Sequence, residues 1–202
     1  MKLLMHICCA PCAVYPLATL RRRGIAVEGF WFNPNIHPYT EYRNRLDALT
    51  TLRSLWSLDI TCIDRYGLEE YLRNVVGKEE QRCSYCYAVR LEAAARQAKE
   101  RGADAFGTSL LVSPYQKFDL ITALGMQLQE RYNILFFGED FRKGFREGRA
   151  TAKELGLYRQ QYCGCIYSEW ERYGKGQASS AGRHVPGEPD GKRVTSKPEA
   201  GD

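Results

Sequence analysis

Short apolar runs alternate with longer amphipathic stretches along most of this chain. The apolar runs are rich in β-branched and aromatic residues, which is typical of buried strands; they read KLLMHIC, IAVEGFWF, DITCID, DAFGTSL and NILFFG. The stretches between them have helical periodicity, and several end at a glycine, a common helix terminator. Strands that alternate with helices predict an α/β, Rossmann-like fold, with a mostly parallel sheet of about five strands and helices on both faces.

The pattern ends near Gly174. From there the sequence GKGQASSAGRHVPGEPDGKRVTSKPEAGD consists of glycine, serine, proline and charged residues with few apolar side chains. Such a composition cannot bury enough surface to offset the entropy of ordering. We therefore predict one α/β domain over 1–173 and a disordered tail over 174–202; the motifs described below make this domain a metal-binding, catalytic one.

The hydropathy and the N-terminal sequence of the chain indicate its cellular compartment. No run approaches the roughly 20 apolar residues that span a bilayer, and the N-terminus shows no secretory signal. We therefore expect a cytoplasmic protein with no membrane partner. In that reducing compartment, clustered cysteines more often indicate metal or redox chemistry than structural disulfides.

Seven of the eight cysteines fall in three short motifs. The motifs are CCAPC with Cys8, Cys9 and Cys12, CSYC with Cys83 and Cys86, and CGC with Cys163 and Cys165. CCAPC follows the first predicted strand, and parallel α/β sheets bind ligands beyond the carboxyl ends of their strands. Cys62 stands alone within a predicted strand, so we expect a small buried side chain there.

Three interpretations compete for the first two motifs. A structural zinc site would need a shorter gap between the pairs, and a thioredoxin-type CAPC explains only one motif. An iron–sulfur cluster, which typically takes four cysteine ligands, accounts for more of the cysteines. We favour a cluster held by two cysteines from the first turn, Cys8 and Cys9, and two from one helix face, Cys83 and Cys86.

The CGC motif points to different chemistry. Two cysteines around one glycine can close a very small disulfide, which is strained and easily reduced, so the pair suits a reversible electron relay. Further metal ligation and inert thiols stay open as alternatives. Cys12 is left to ligate a second metal or to act as an acid.

Several long motifs together resemble the QueH-type epoxyqueuosine reductases. They span 1–173 and read HICCAPC, FNPNIHPYTEYRNR, RCSYCY, GTSLLVSPYQKFDLI and FFGEDFRKGFREGRATAKELGLYRQQYCGCIYSE. The resemblance implies a two-electron reduction of epoxyqueuosine to queuosine at the wobble position of GUN-anticodon tRNAs, with a protein or small reductant as electron donor.

The resemblance also implies cofactors and a fold. Cys8, Cys9, Cys83 and Cys86 would hold a [4Fe-4S] cluster, and Cys163 and Cys165 would form a redox-active disulfide. The family also holds an additional iron ion, for which Cys12 is our candidate ligand. The implied fold is that of the PP-loop proteins, but CCAPC occupies the place of the usual Ser-Gly-Gly phosphate loop, so we expect no ATP hydrolysis.

Proton donation and RNA binding need further residues. Asp140 is our candidate catalytic acid, with His37 and Glu139 as alternatives, although a carboxylate here can instead cap the next helix. Arg142, Lys143, Arg146 and Arg149 are the leading candidates for phosphate contacts, and Tyr115 and Lys117 for further RNA contacts. Each of these can also be an ordinary surface residue.

Three other functions fit parts of the sequence. A cluster-dependent tRNA thiolation enzyme would adenylate its base and so need the missing phosphate loop. A thiol–disulfide oxidoreductase would use CAPC alone, and a zinc-stabilised RNA-binding module would lack catalysis. Iron analysis and a visible absorption spectrum separate the zinc interpretation from the iron–sulfur one.

Overall fold

The computed structural model describes residues 1–174. A five-stranded sheet forms its centre, with strands β1 Lys2–His6, β2 Ala26–Trp31, β3 Ile60–Cys62, β4 Ala105–Thr108 and β5 Leu135–Phe137. The strand order is β3-β2-β1-β4-β5, and every pairing is parallel. All five carboxyl ends therefore lie along one edge.

Seven α-helices accompany the sheet within residues 1–174: α1 Ala10–Arg22, α2 Tyr39–Trp56, α3 Leu68–Val75, α4 Arg82–Glu100, α5 Phe118–Tyr132, α6 Phe145–Glu154 and α7 Ile166–Tyr173. α1 packs against α2 and α6, whereas α4 packs against α5 and against β1 and β4. The predicted α/β fold is confirmed.

The central strand β1 shows why the core forms where it does. Leu3, Leu4 and Met5 have no exposed surface, because β2 and β4 flank the strand and helices cover it. A continuous apolar run is what a parallel strand buried on both faces requires. β1 then ends directly at the CCAPC motif, which places the cysteines at the carboxyl edge.

Two expectations need correction. Cys62 is exposed, not buried, because it ends the edge strand β3, where only one neighbouring strand covers it. Helix α7 follows the CGC motif and is absent from the sequence prediction; within the described chain it has no fully buried residue, and only its half-buried Ile166 and Tyr167 pack against a small cluster around Cys165.

Two further expectations concern the ends of the chain and the membrane. The predicted disordered tail lies outside the described residues, apart from Gly174. Among the helices of residues 1–174, none combines the length and hydrophobicity that crossing a bilayer requires.

Candidate active site

The strand-end cysteine group consists of Cys8, Cys9 and Cys12. Their sulfur atoms all lie within 4.8 Å of one another, and all three side chains are buried. The sequence brings them together locally: Cys9 has extended backbone and precedes α1, while Cys12 lies in the first turn of that helix. Three soft donor atoms this close can bind one metal centre.

Hydrogen-bond donors from distant segments point at these sulfurs. The Ser109 hydroxyl lies 3.4 Å from Cys8 Sγ, and Gln160 Nε2 donates to Cys9 Sγ at 2.9 Å and to Cys12 Sγ at 3.5 Å. Hydrogen bonds from Cys12 and Cys9 lower the pKa of Cys8 well below its usual range. Of the three thiols, Cys8 is therefore the one whose thiolate form is favoured, and the thiolate is the form that binds metals.

A buried, neutral histidine, His6, ends strand β1 just before the strand-end cysteine group. His6 has no exposed surface, and its ring nitrogens contact Thr108 Oγ1 at 2.9 Å and Asn33 Oδ1 at 3.1 Å. Burial lowers the pKa of His6 to about 4, so the ring is uncharged at neutral pH. Asn33 in turn donates to the Ile7 carbonyl at 2.8 Å, which fixes the backbone just before the cysteines.

The second pair of predicted ligands begins helix α4. Cys83 is half-buried and Cys86 is buried. Cys86 packs in a small cluster with Tyr71, Val75 and Cys165, and burial raises the pKa of the Cys86 thiol to about 12. Neither sulfur belongs to the compact three-sulfur group found within the described residues.

The two cysteines of the CGC loop, residues 162–165, differ in exposure. Cys163 is exposed and Cys165 is buried beside Cys86. Gly164 has φ +143°, a conformation that side chains rarely adopt, and this turn separates the two cysteines. All eight cysteines are free thiols, so the redox disulfide stays a prediction.

Buried side chains of α2 hold the backbone of this loop. Arg45 is 2% exposed and donates to the Cys163 and Tyr162 carbonyls at 2.8 and 3.0 Å. Glu41 accepts a hydrogen bond from Arg45 Nε at 2.7 Å and a second one from Tyr158. His37 adds a backbone N–H to the Gly164 carbonyl at 2.7 Å.

A cavity of about 390 Å³ is lined by residues of both the strand-end cysteine group and the CGC loop. Its lining includes Cys8, Cys12, Cys163, Gln160, Tyr115 and Arg149. Tyr115 is 82% exposed, and its ring meets that of Phe145 edge-on with centroids 5.7 Å apart. The cavity thus joins buried thiols, an exposed thiol, an aromatic surface and a cation.

Comparison with known proteins identifies the family. A family model described as epoxyqueuosine reductase QueH matches residues 3–171. The chain belongs to the epoxyqueuosine reductase QueH family. The protein of that name from Dehalococcoides mccartyi is 39% identical over 174 residues, which cover 86% of this chain and 96% of that protein. The one from Thermotoga maritima is 36% identical over 179 residues, with 84% and 91% covered.

A solved structure supports the fold independently. The U34-tRNA thiolase NcsA from Methanococcus maripaludis, solved with its [4Fe-4S] cluster, superimposes with a TM-score of 0.54 at 13% identity. The match covers 96% of this chain and 78% of the thiolase. It shows that the two proteins share an α/β architecture.

The structure does not bring every predicted residue of this QueH chain to the cavity. Asp140 lies on the surface, where it pairs with Arg142 at 2.6 Å and accepts a hydrogen bond from the Arg142 backbone N–H at 2.9 Å. Glu139 pairs with Arg23 at 2.6 Å. Burial lowers the pKa of His37 to about 4, and it lies among the rings of Tyr66 and Tyr71.

Some of the predicted RNA-contact residues line the cavity and others lie outside it. Tyr115 and Arg149 line the cavity. Lys117, Lys143 and Arg146 are exposed outside it, and Arg142 is partly neutralised by Asp140. Arg142, Lys143 and Arg146 lie in the same stretch of chain as Phe145 and Arg149, which line the cavity, whereas Lys117 precedes α5.

Sequence reasoning missed the side chains that surround the thiols. Ser109, Gln116, Gln160 and Arg90 contact or face cysteines, and Gln116 Nε2 donates to Cys163 Sγ at 3.3 Å. Ser109, Gln116 and Gln160 are each more than 40 positions from the cysteine whose sulfur they contact, so no local sequence pattern reveals them. Arg90 is the exception, because it follows Cys86 by one helical turn.

The donor set fits a thiolate-held metal centre. Soft sulfur donors dominate it, as iron–sulfur clusters require. One buried cation, Arg90, has a guanidinium nitrogen, Nη2, without a hydrogen-bond partner. A protein interior that holds such a cation among thiols is suited to an anionic group.

Proposed function

We propose that this chain is an epoxyqueuosine reductase that acts on tRNA. The observation that carries the proposal is one cavity lined by buried Cys8 and Cys12 on one side and exposed Cys163 on the other. Metal-binding thiols and a solvent-facing thiol at the same cavity are what a metal-assisted reduction of a bound substrate needs. Membership of the QueH family supports the same reaction.

The proposed cofactor is a [4Fe-4S] cluster with Cys8, Cys9, Cys83 and Cys86 as ligands, and Cys12 as a ligand of an additional iron ion. When bound, such a cluster supplies electrons one at a time, and an adjacent iron acts as a Lewis acid. Ser109 and Gln160 donate hydrogen bonds toward these sulfurs, which stabilises their thiolate forms. Arg90 adds a positive charge beside Cys86.

Cys163 and Cys165 are proposed as the redox pair. Converting an epoxide to an alkene and water takes up two electrons and two protons. Oxidation of two thiols to one disulfide releases the same two electrons and two protons, so one cycle of the pair balances one turnover. Cys163 faces the cavity, and an external donor then reduces the disulfide.

The tRNA contacts are proposed along the cavity mouth. Tyr115 offers an exposed ring for base stacking, while Arg149, Lys143, Arg146 and Arg142 offer charge for phosphates. Neutralising Lys143, Arg146 and Arg149 together should weaken tRNA binding and reduce its salt dependence, measured by titration over a salt series. Unchanged affinity across that series would exclude these contacts. A tRNA substrate also makes the cytoplasm the proposed location.

The decisive experiment reconstitutes the protein with iron and sulfide under anaerobic conditions. The reconstituted protein is incubated with a reductant and epoxyqueuosine-containing tRNA, and the nucleosides are analysed by mass spectrometry. We expect queuosine to form without ATP. Absence of product in a sample with a full iron–sulfur content would contradict the proposal.

The same assay separates the other functions. A thiolase would require ATP and leave the epoxide intact. A thiol–disulfide oxidoreductase using Cys9 and Cys12 would need an accessible thiol, but Cys9 has no exposed surface.

A further inference from the structure

Among residues 1–174, Arg90 is a buried cation without an acidic partner. It is 2% exposed and lies on α4, where its Nε donates to the Cys86 carbonyl at 2.9 Å. Its Nη2 has no hydrogen-bond partner. Among the ion pairs of residues 1–174, none joins a carboxylate to Arg90 within 4.0 Å.

Arg45 shows how the same chain treats a buried arginine whose role is structural. It is equally buried, but it pairs with Glu41 at 2.7 Å and donates to the carbonyls of two residues of the CGC loop. A buried charge without a partner is strongly destabilising even after the surroundings relax. Arg90 therefore needs an anion that the polypeptide alone does not supply.

An RNA phosphate does not fit this role. Arg90 does not line the 390 Å³ cavity, and its side chain is almost wholly enclosed. The groups on which its charge acts are His6, Cys86, Cys163 and Tyr87. Burial raises the pKa of Tyr87, so its hydroxyl stays uncharged. His6 is neutral, so the anion must come from the cysteines and what they bind.

The spacing of residues along α4 also places Arg90 next to the cysteines. Cys83, Cys86 and Arg90 lie at positions i, i+3 and i+7, which share one helix face. The guanidinium also lies 5.6 Å from the centroid of the Tyr87 ring, a cation–π contact that limits its movement. Thiols become thiolates when they bind metal, and a cluster with four thiolate ligands carries net negative charge.

We propose that Arg90 is the counter-charge of the metal–thiolate centre and makes the centre easier to reduce. This inference depends on the cluster of the proposed function. Reduction adds negative charge to the centre, so a fixed cation nearby stabilises the reduced state more than the oxidised state. Arg90 thus acts on the electron transfer through charge and does not contact the substrate.

The test compares Arg90→Gln with Arg90→Lys in protein reconstituted anaerobically with iron and sulfide. Midpoint potentials are measured by a redox titration followed by electron paramagnetic resonance. We expect Arg90→Gln to lower the reduced-to-oxidised ratio about tenfold at a fixed ambient potential, or about 59 mV for a one-electron couple. Arg90→Lys should keep the wild-type potential, as should the control Arg96→Gln on the exposed side of the same helix.

A second measurement covers the case in which a variant loads poorly. Cluster loading should raise the melting temperature less in Arg90→Gln than in the wild type or Arg90→Lys, because the cation–cluster attraction is lost. Iron loss in Arg90→Gln with iron retained in Arg90→Lys supports the inference. Iron loss in both variants overturns the inference, because Arg90→Lys keeps the positive charge and would nevertheless fail to hold the cluster.

The outcomes also separate this inference from the proposed function. Wild-type protein that holds no iron–sulfur cluster would contradict the proposed function itself. A wild-type cluster with an unchanged potential and unchanged loading stabilisation in Arg90→Gln would overturn the role of Arg90 alone.

Discussion

The strand-end cysteine group and the CGC loop face the same cavity but are built by different means. Cys8, Cys9 and Cys12 lie close together because a buried strand turns directly into a helix. Cys163 and Cys165 lie in an irregular segment that follows α6. The backbone of this segment accepts hydrogen bonds from residues more than 100 positions away, such as Arg45.

This difference suits two different tasks. A metal ligand must stay in place, and the strand-end group is anchored in the main core of the domain. A redox pair must exchange between thiol and disulfide and meet an external donor, and the CGC loop combines an exposed cysteine with a buried one. The four predictions below test whether the two regions are specialised in this way.

The largest effect is expected from Cys9→Ala. We predict loss of bound iron and of epoxide reduction, because the change removes a fully buried thiol that we propose as a cluster ligand. Iron per protein and the visible absorption band provide the measurement. Cys62→Ala is the matched control: Cys62 is exposed on the edge strand, and its removal should change neither quantity. A Cys9→Ala protein with full iron would break the comparison.

Cys163→Ala should abolish multiple turnover while leaving the iron content intact. Cys163 is exposed at the cavity, and we propose it as a member of the redox pair and not of the ligand set. Iron analysis beside a turnover assay tells the two roles apart. If this variant loses its iron as Cys9→Ala does, then the CGC loop supplies a ligand and the two regions are not distinct.

The comparison also explains what the sequence could and could not predict. The position of CCAPC at the sheet edge follows from a buried strand and a helix start, both of which are local patterns. The environments of Cys163 and Cys165 depend on Arg45, Gly164 and α7, and no local pattern links these elements. Cys62 was misassigned because a strand pattern does not reveal which strand is at the edge.

Surface charges illustrate the same limit. Asp140 and Glu139 follow the last strand, as a catalytic carboxylate would, yet each forms an ion pair with an arginine, Arg142 or Arg23. Only the tertiary structure shows that these carboxylates are already engaged. The sequence places a polar residue at a sheet edge, but not the direction in which its side chain lies.

Arg45→Met should destabilise the fold by about 3–5 kcal/mol, because it leaves the buried Glu41 carboxylate without its cation. Denaturant unfolding of the metal-free protein measures this. The double variant Glu41→Leu with Arg45→Met removes both charges and should recover much of the loss. Recovery of stability without recovery of turnover would show that Arg45 positions the CGC loop as well as stabilising the domain.

The smallest effect is expected from Gly164→Ala, which changes only the turn between the two cysteines. An added Cβ at φ +143° would lie 3.1 Å from Arg45 Nη1 and 3.4 Å from Ile36 Cγ1. Backbone strain of this kind costs about 1–3 kcal/mol. The close contact with Arg45 Nη1 also requires either the loop or the Arg45 side chain to shift.

Gly156→Ala is the matched control for this last change. Gly156 also has positive φ, at +66°, but an added Cβ there would meet no atom within 4 Å. Both variants should lose stability, whereas only Gly164→Ala should alter the rate at which a thiol reagent labels Cys163. Equal labelling rates in the two variants would mean that the turn does not set the exposure of Cys163. The asymmetry between the two cysteines would then have to come from α7 and its packing beside Cys165 alone.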